Sequence, residues 1–331
     1  MRIVVLDDFH HAYAGSAGIA RLREQHEVAI YTDPPASRED LLARLRGVPI
    51  VLANRERTRF TADLLAALPD LELLCNTGNH LYHVDVPAAT AAGVAICLAR
   101  ETTTETAGYS TAELTLALML ALLRHVAAAD RAMRQGAWPL LQGQVLYGKT
   151  LGILGLGRVG RQVARLASAF GMRLLAWGPT LTPERAAAAG AAYRALDDLL
   201  AEADVVSIHL TLSEQSRGLI DAARLRRMRP SAYLINTARG AIVDEAALVQ
   251  ALRAGWIAGA ALDVFGEEPL PAEHPLRQLD NVVLTPHLGW PTDQTYQIFA
   301  DAAARQITAY LAGDYSGLVN PEALAVRQRR A

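Results

Sequence analysis

Three residues in the last third of the chain bring together a guanidinium, a carboxylate and an imidazole. They are Arg239 in Asn-Thr-Ala-Arg-Gly, Glu268 in Asp-Val-Phe-Gly-Glu-Glu-Pro and His287 in Thr-Pro-His-Leu-Gly. A guanidinium grips a carboxylate bidentately, an imidazole gives or takes a proton near neutral pH, and a carboxylate behind that imidazole holds its ring and favours the charged form. With a redox cofactor to supply hydride, this set suffices to add a hydride and a proton to a 2-oxo acid. Each residue alone has a duller reading: Arg239 as a loop ion pair, Glu268 beside Glu267 as a solvated turn, His287 after Pro286 as the end of a strand. It is their joint occurrence, each after its own predicted strand, that favours an enzyme.

A dinucleotide turn precedes them. Gly155-Leu156-Gly157-Arg158-Val159-Gly160 follows the apolar run Leu151–Leu154 and opens a helical stretch to Phe170. Gly155 suits a tight turn, Gly157 a close backbone approach to a pyrophosphate, and Gly160 close helix–strand packing, with the helix amino terminus facing the anion. Such a triplet is weak evidence by itself; a strand before it, a helix after it and further strands behind it make it specific. The acidic residue expected about twenty positions on, at the ribose diol, is missing. Trp177-Gly178-Pro179-Thr180 stands there instead. Gly178 removes the charge that repels a 2′-phosphate, yet no arginine directly replaces it, and Thr180, Thr182 or Arg185 suits either ribose form. NAD and NADP both stay open, with NAD the favoured one.

These residues need a sheet to carry them. Apolar runs at Ile3–Leu6, Val28–Tyr31, Ile50–Ala53, Leu71–Cys75 and Val94–Leu98 alternate with helical stretches, the signature of a parallel sheet covered on both faces. Thr106 to Gln135 reads as one long helix crossing between domains. A second series, Leu151–Leu154, Arg173–Trp177, Val205–Leu210, Ala232–Asn236, Gly259–Asp263 and Val282–Thr285, gives the six strands of a doubly wound dinucleotide fold. Thr292 to Ala312 is again helical and is expected to fold back on the first unit. The expected architecture is α/β with two domains. Residues 1–105 plus 290–331 form a flavodoxin-like substrate domain, residues 106–289 form a Rossmann domain, and the crossovers near 100–110 and 288–292 form a hinge.

Bulk properties narrow the partners. At 331 residues two cores are the default. With 32 Lys plus Arg against 34 Asp plus Glu there is no basic excess for nucleic acid or anionic membrane, and a small neutral or anionic ligand is expected. Cys75 and Cys97 sit in apolar runs and lack metal-site or disulfide spacing, so they read as buried free thiols in a reducing cytoplasm. The amino terminus lacks a signal-peptide layout, and the longest apolar run, Leu114 to Leu123, is well short of the ~20 residues of a spanning helix. The basic stretch Arg327 to Arg330 reads as a frayed tail.

From about residue 45 to 312 the chain resembles the D-isomer-specific 2-hydroxyacid dehydrogenases, relatives of 3-phosphoglycerate, glycerate and D-lactate dehydrogenases. The motifs that carry the resemblance are Gly155–Gly160, His209-Leu210-Thr211-Leu212-Ser213, Asn236-Thr237-Ala238-Arg239-Gly240, Asp263-Val264-Phe265 with Glu268-Pro269, and Thr285-Pro286-His287-Leu288-Gly289. The resemblance implies that His287 is the general acid and base, that Glu268 holds its ring, and that Arg239 clamps the substrate carboxylate. It places His209, Leu210, Thr211, Thr237, Ala238, Asp263 and Gly289, with His287, around the cofactor; Asp263 either orients the nicotinamide amide or ends a strand. It gives Thr77, Gly78 and Asn79 a carboxylate-binding role through backbone N–H groups. It also implies a homodimer paired through the helix after the first domain.

Arg55 and Arg57 reach either an anionic substrate tail or solvent, and His80 and Tyr82 either line a pocket or lie on the surface like His83. This chain departs from the commoner wording in the Asn76–His80 loop and has Thr211 where many relatives have Pro, which leaves the 2-oxo acid open. Formate and phosphite oxidation fit less well, because formate dehydrogenases place Gln at the position of Glu268. From another class comes a dinucleotide-sensing, corepressor-like interaction protein, which the fold alone does not separate from an enzyme.

Overall fold

The apolar runs of the first hundred residues form five parallel strands: β1 (Arg2–Val5), β2 (Glu27–Ile30), β3 (Ile50–Ala53), β4 (Leu73–Thr77) and β5 (Ala95–Ala99), in the order β2-β1-β3-β4-β5. This is the flavodoxin-like order. Every residue of β3 and β4 is buried, as expected of strands with helices on both faces. The helices between them start and stop on local chemistry. Val86–Ala92 begins with the Asp85 carboxylate accepting the Ala88 N–H at 2.9 Å and ends at Gly93 in the left-handed region.

The computed structural model describes residues 1–100 and 108–329. Its backbone divides into two units, Met1–Thr103 with Pro291–Ala331 and Thr104–Trp290. The carboxyl-terminal helix Asp293–Leu311, capped by the Thr292 hydroxyl, returns to the first unit. There it crosses the helix Ala17–Arg23 so closely that a Cβ on Gly18 would lie 2.2 Å from the Ala300 carbonyl oxygen.

The second unit holds β6 (Thr150–Leu154), β7 (Arg173–Trp177), β8 (Ala192–Tyr193), β9 (Val205–Ile208), β10 (Tyr233–Asn236), β11 (Gly259–Leu262) and β12 (Val282–Leu284). All are parallel, in the order β12-β11-β10-β9-β6-β7-β8. Six of the seven match the expected strands. The seventh, β8, has two residues at the sheet edge, too short for any apolar pattern to announce. One core lies under Leu154, Leu199, Val206, Leu234 and Leu262, and a second under Met119, Leu151, Ile153, Val163 and Ile235.

The single helix expected over Thr106–Gln135 is two, Tyr109–Leu123 and Val126–Arg134, bent by 64°. Its expected first residues, Thr106 and Ala107, lie outside the described ones. The break falls at His125, with φ of 56°, where neither Gly nor Pro marks it. The two halves differ in environment: the first buries Ala112, Leu116, Leu118, Met119, Leu122 and Leu123, and the second buries none of its residues. The apolar surplus of the first half is thus taken up inside its own unit.

The basic stretch near the carboxyl end is not frayed where it is described. Arg327 belongs to the helix Ala323–Gln328, pairs with Glu72 at 2.5 Å and donates to the Leu71 carbonyl at 3.2 Å. Arg330 and Ala331 lie outside the described residues. Among the described residues no single helix is long and apolar enough to cross a membrane.

Candidate active site

β6 ends at Leu154 and the chain turns at Gly155, whose φ is +96°. A Cβ there would lie 2.7 Å from the His209 carbonyl oxygen, so only glycine fits. Gly160, in the first turn of the helix Arg158–Ala169, lies so close to Gly155 that a Cβ would come within 2.0 Å of its carbonyl oxygen. Gly157 differs: a Cβ there would meet nothing within 4 Å, and no side chain caps the helix. An uncapped helix amino terminus beside open space fits a pyrophosphate, which backbone N–H groups and the helix dipole both favour.

Around this turn the sequence-predicted cofactor residues take varied places. Leu156 is buried, while Arg158 and Val159 lie in the first helical turn. Gly178 directly follows β7, and Leu210 and Thr211 follow β9. The His209 ring bonds the Ser207 hydroxyl at 2.8 Å, and burial pushes it down to about 3, so it is neutral at physiological pH. The Thr237 hydroxyl is buried against that of Thr115 at 3.0 Å, and the Ala238 N–H donates to Asn236 Oδ1.

The last three strands end level. Asn236 pairs with Leu262 and Leu262 with Leu284, so the loops that follow β10, β11 and β12 leave one sheet edge side by side. Arg239, Glu268 and His287 stand on those loops. The first two loops touch: a Cβ on Gly240 would lie 2.0 Å from the Phe265 carbonyl carbon. His287 Nδ1 donates to Glu268 Oε2 at 2.7 Å, and the other Glu268 oxygen accepts the Phe265 N–H at 2.9 Å. Glu268 is thereby oriented, and its contact engages the Nδ1 side of the His287 ring. Arg239 is half-buried, and its Nη1 donates to the Ala238 carbonyl of its own loop at 2.6 Å.

His287 has a φ of +57°, uncommon for a residue with a side chain. Asp263 holds that conformation. Its carbonyl accepts the His287 N–H at 2.9 Å, one carboxylate oxygen accepts the Leu288 N–H at 2.7 Å and the Thr285 hydroxyl at 2.5 Å, and the other accepts the Gly289 N–H at 2.9 Å. Burial raises the Asp263 carboxyl above its ordinary range, and these hydrogen bonds offset part of that.

In the first unit, Arg55 and Thr77 meet at the carboxyl ends of β3 and β4. The Thr77 hydroxyl accepts the Arg55 N–H at 3.0 Å and donates to Asn54 Oδ1 at 3.3 Å. The Gly78 N–H is spent on the Ala99 carbonyl at 2.9 Å. Asn79 follows on the exposed tip of the loop. Arg55 lies against Gly78, pairs with Glu56 at 3.3 Å and contacts the His80 ring at 3.1 Å, and His80 reaches Glu56 at 3.2 Å. The Tyr82 ring stacks on that of His80.

Residues 116–289 match the family described as D-isomer specific 2-hydroxyacid dehydrogenase, NAD binding domain. The chain is 40% identical over 329 residues to a glyoxylate reductase of Thermofilum pendens, an alignment that covers 94% of this chain and 93% of that protein. The chain belongs to the D-isomer specific 2-hydroxyacid dehydrogenase family. To a D-3-phosphoglycerate dehydrogenase of Mycobacterium tuberculosis it is 39% identical over 314 residues, covering 92% of this chain and 58% of that protein. The crystal structure of a phosphoglycerate oxidoreductase from Vibrio cholerae superposes with a TM-score of 0.86 at 33% identity, covering 95% of this chain and 99% of that one.

This dehydrogenase is accordingly an NAD(P)-dependent oxidoreductase that interconverts 2-oxo and 2-hydroxy acids. The dinucleotide-sensing interaction reading gains no support from relatives named as enzymes. The structure also corrects one residue of the dehydrogenase and supplies another that sequence reasoning undervalued. His83, expected at the surface, is 6% exposed and bonds Asn76 Oδ1 at 3.0 Å, and burial pushes it down to about 4. Asp263 shapes the turn that presents His287; an acidic residue at a strand end before a Thr-Pro-His-Leu-Gly run was the only signal for it.

Proposed function

We propose that the chain reduces a short 2-oxo acid of the glyoxylate and hydroxypyruvate class to the D-2-hydroxy acid, with His287, Glu268 and Arg239 as its working side chains. The observation that carries this reading is the 2.7 Å contact between His287 Nδ1 and Glu268 Oε2 on loops that leave the same sheet edge as the Arg239 loop.

A reduced nicotinamide, when bound, supplies the hydride that C2 of the acid accepts. His287 delivers the proton to the 2-oxo oxygen from Nε2, because Nδ1 is engaged by Glu268; in the reverse direction Nε2 takes the hydroxyl proton. Glu268, with its second oxygen on the Phe265 N–H, keeps the ring from rotating and stabilises the imidazolium before transfer. Arg239 fixes the substrate carboxylate and polarises the adjoining carbonyl, which holds C2 in register for hydride. The backbone of Gly155 to Gly160 would hold the pyrophosphate of that cofactor.

The substrate domain is assigned to the unit with β1–β5 and the dinucleotide domain to the unit with β6–β12. In the first, Arg55 is charge-compensated by Glu56, and Thr77 and the Gly78 N–H are engaged within their own unit, so Asn79 is the remaining loop residue for a carboxylate contact. An arginine already paired with a carboxylate is a poor receptor for a phosphorylated tail, which favours a short unphosphorylated acid. Relatives named glyoxylate reductase support the same class.

The chain is proposed to pair as a homodimer through the segment after the bend, where Val126, Trp138, Leu140, Val145 and Tyr147 are all more than half exposed. Cys75 and Cys97, both buried free thiols, accord with a reducing compartment, and the enzyme is assigned to the cytoplasm.

The test is a panel of 2-oxo acids, glyoxylate, hydroxypyruvate, pyruvate and 3-phosphohydroxypyruvate, with NADH and NADPH, followed by nicotinamide absorbance. Oxidation is expected with the short acids and is expected to be weak with the phosphorylated one. No oxidation with any acid would remove the assignment.

A further inference from the structure

Glu245 opens the helix Glu245–Arg253, a place where an acid ordinarily serves the helix itself by lying against its positive end. That duty is already met, because the Asp244 carboxylate caps the helix by accepting the Ala247 N–H at 3.0 Å. Both Glu245 oxygens turn instead to another loop. Oε2 accepts the Gly266 N–H at 3.0 Å, and Oε1 lies 3.1 Å from His274 Nε2. A neighbouring hydrogen bond sets the direction of the second contact. His274 Nδ1 accepts the Leu276 N–H at 3.3 Å, so Nδ1 bears no hydrogen and Nε2 is the donor to Glu245. Both side chains are partly buried.

Gly266 and His274 stand on either side of Glu268 in the connection that leaves β11. One carboxylate thus draws the two ends of that loop together around the residue that holds the His287 ring. Farther along, Arg277 donates to the Leu270 carbonyl at 2.8 Å and to the Pro271 carbonyl at 2.9 Å, which fixes the stretch just after Glu268. The anchor on the near side is closer still, since Glu268 itself accepts the N–H of Phe265, the residue before Gly266. Glu245 also belongs to the connection that carries Arg239. It therefore fastens the guanidinium-bearing connection to the carboxylate-bearing loop at a second point, beyond the close approach of Gly240 to Phe265.

We propose that Glu245 and His274 are a positioning pair for proton transfer, closing the loop 266–274 so that Glu268 stays aimed at His287 Nδ1. The inference rests on the roles proposed above for Glu268 and His287 and adds two residues that act only through Glu268. The pair needs two acceptors at once, which a carboxylate supplies. Glu245→Gln leaves one acceptor and turns an NH2 group toward the other donor. His274→Asn keeps a cap for the Leu276 N–H and loses only the reach to Glu245, so it separates the bridge from the fold of the short helix Pro275–Gln278.

The test reads the His287 ring itself. Ring-nitrogen chemical shifts of the whole chain with isotope-labelled histidine, recorded above neutral pH through the carbon-bound ring protons, report which nitrogen of the neutral ring bears the hydrogen. In the unaltered chain His287 is expected as the Nδ1–H form, and both variants are expected to move it toward Nε2–H. With glyoxylate, each variant is expected to lower kcat about tenfold while KM for the acid and for reduced cofactor stays within about twofold. Residues of one hydrogen-bond network couple, so neither substitution is expected to lower kcat further in a Glu268→Gln chain. A His287 ring not in the Nδ1–H form in the unaltered chain, or still held in it in either variant, would overturn the proposal. So would an unchanged kcat, or a full loss of kcat on top of Glu268→Gln. If the unaltered chain reduces no 2-oxo acid, the proposed activity falls, and the ring form still decides the positioning role.

Discussion

His287 carries its ring on a left-handed backbone that costs a side-chain-bearing residue about 1–2 kcal/mol, and the Asp263 contacts offset that cost. His83 and His209 are histidines of another kind, pushed down to about 4 and about 3 by burial and so neutral at physiological pH. In the unfolded chain both return to about 6.5, so below that value the unfolded state binds protons that the folded state refuses. Their stabilisation is complete above pH ~6.5 and is lost as pH falls toward the folded values. For His83 alone the loss by pH 5 is about 2 kcal/mol. Urea unfolding at pH 7.5 and pH 5 is expected to show it, and His83→Gln to flatten it; an equally steep pH dependence in the variant would refute the assignment. The places of Arg239, Glu268 and His287 were legible because each follows the end of its own strand within a few residues. His83 was not, since a histidine between Tyr82 and Val84 looks the same in sequence whether its ring is solvated or bonded to Asn76.

The turn after β12 is built by one side chain of another strand's end. Asp263 satisfies the N–H groups of Leu288 and Gly289 and the Thr285 hydroxyl, so Asp263→Ala strands two backbone donors at about 1–3 kcal/mol each. The variant is expected to lose about 2–6 kcal/mol in urea unfolding and to lower kcat although His287 is untouched. Wild-type stability with wild-type kcat would show that the turn holds without it. Strands and their parallel arrangement were readable because continuous apolar runs alternate with helices. The bend at His125 was not: apolar periodicity runs straight through Arg124 and His125, and what ends the first helix is the loss of anything for Val126–Arg134 to bury against. The two-residue β8 escaped for a similar reason, since its place is set by pairing with β7 rather than by its own composition.

For the molecule as a whole, the proposed pairing rests on the exposed apolar residues after the bend. Sedimentation at micromolar concentration is expected to give twice the mass of the chain, and replacing Leu140, 94% exposed, together with Val145 by Asp is expected to give a single chain of unchanged unfolding midpoint. A wild-type chain that sediments as a monomer would contradict the pairing. The resemblance pointed to the whole stretch Thr106–Gln135 for pairing; its first helix, Tyr109–Leu123, buries its apolar residues in its own unit, while Val126–Arg134 buries none, and burial is not written in apolar content alone. The central claim concerns the chemistry, and single-turnover reduction of glyoxylate by His287→Asn with bound reduced cofactor tests it most directly. The account predicts unchanged cofactor affinity, read by nicotinamide fluorescence, with a rate lowered about 10²–10⁴-fold. A rate equal to that of the unaltered chain would contradict it.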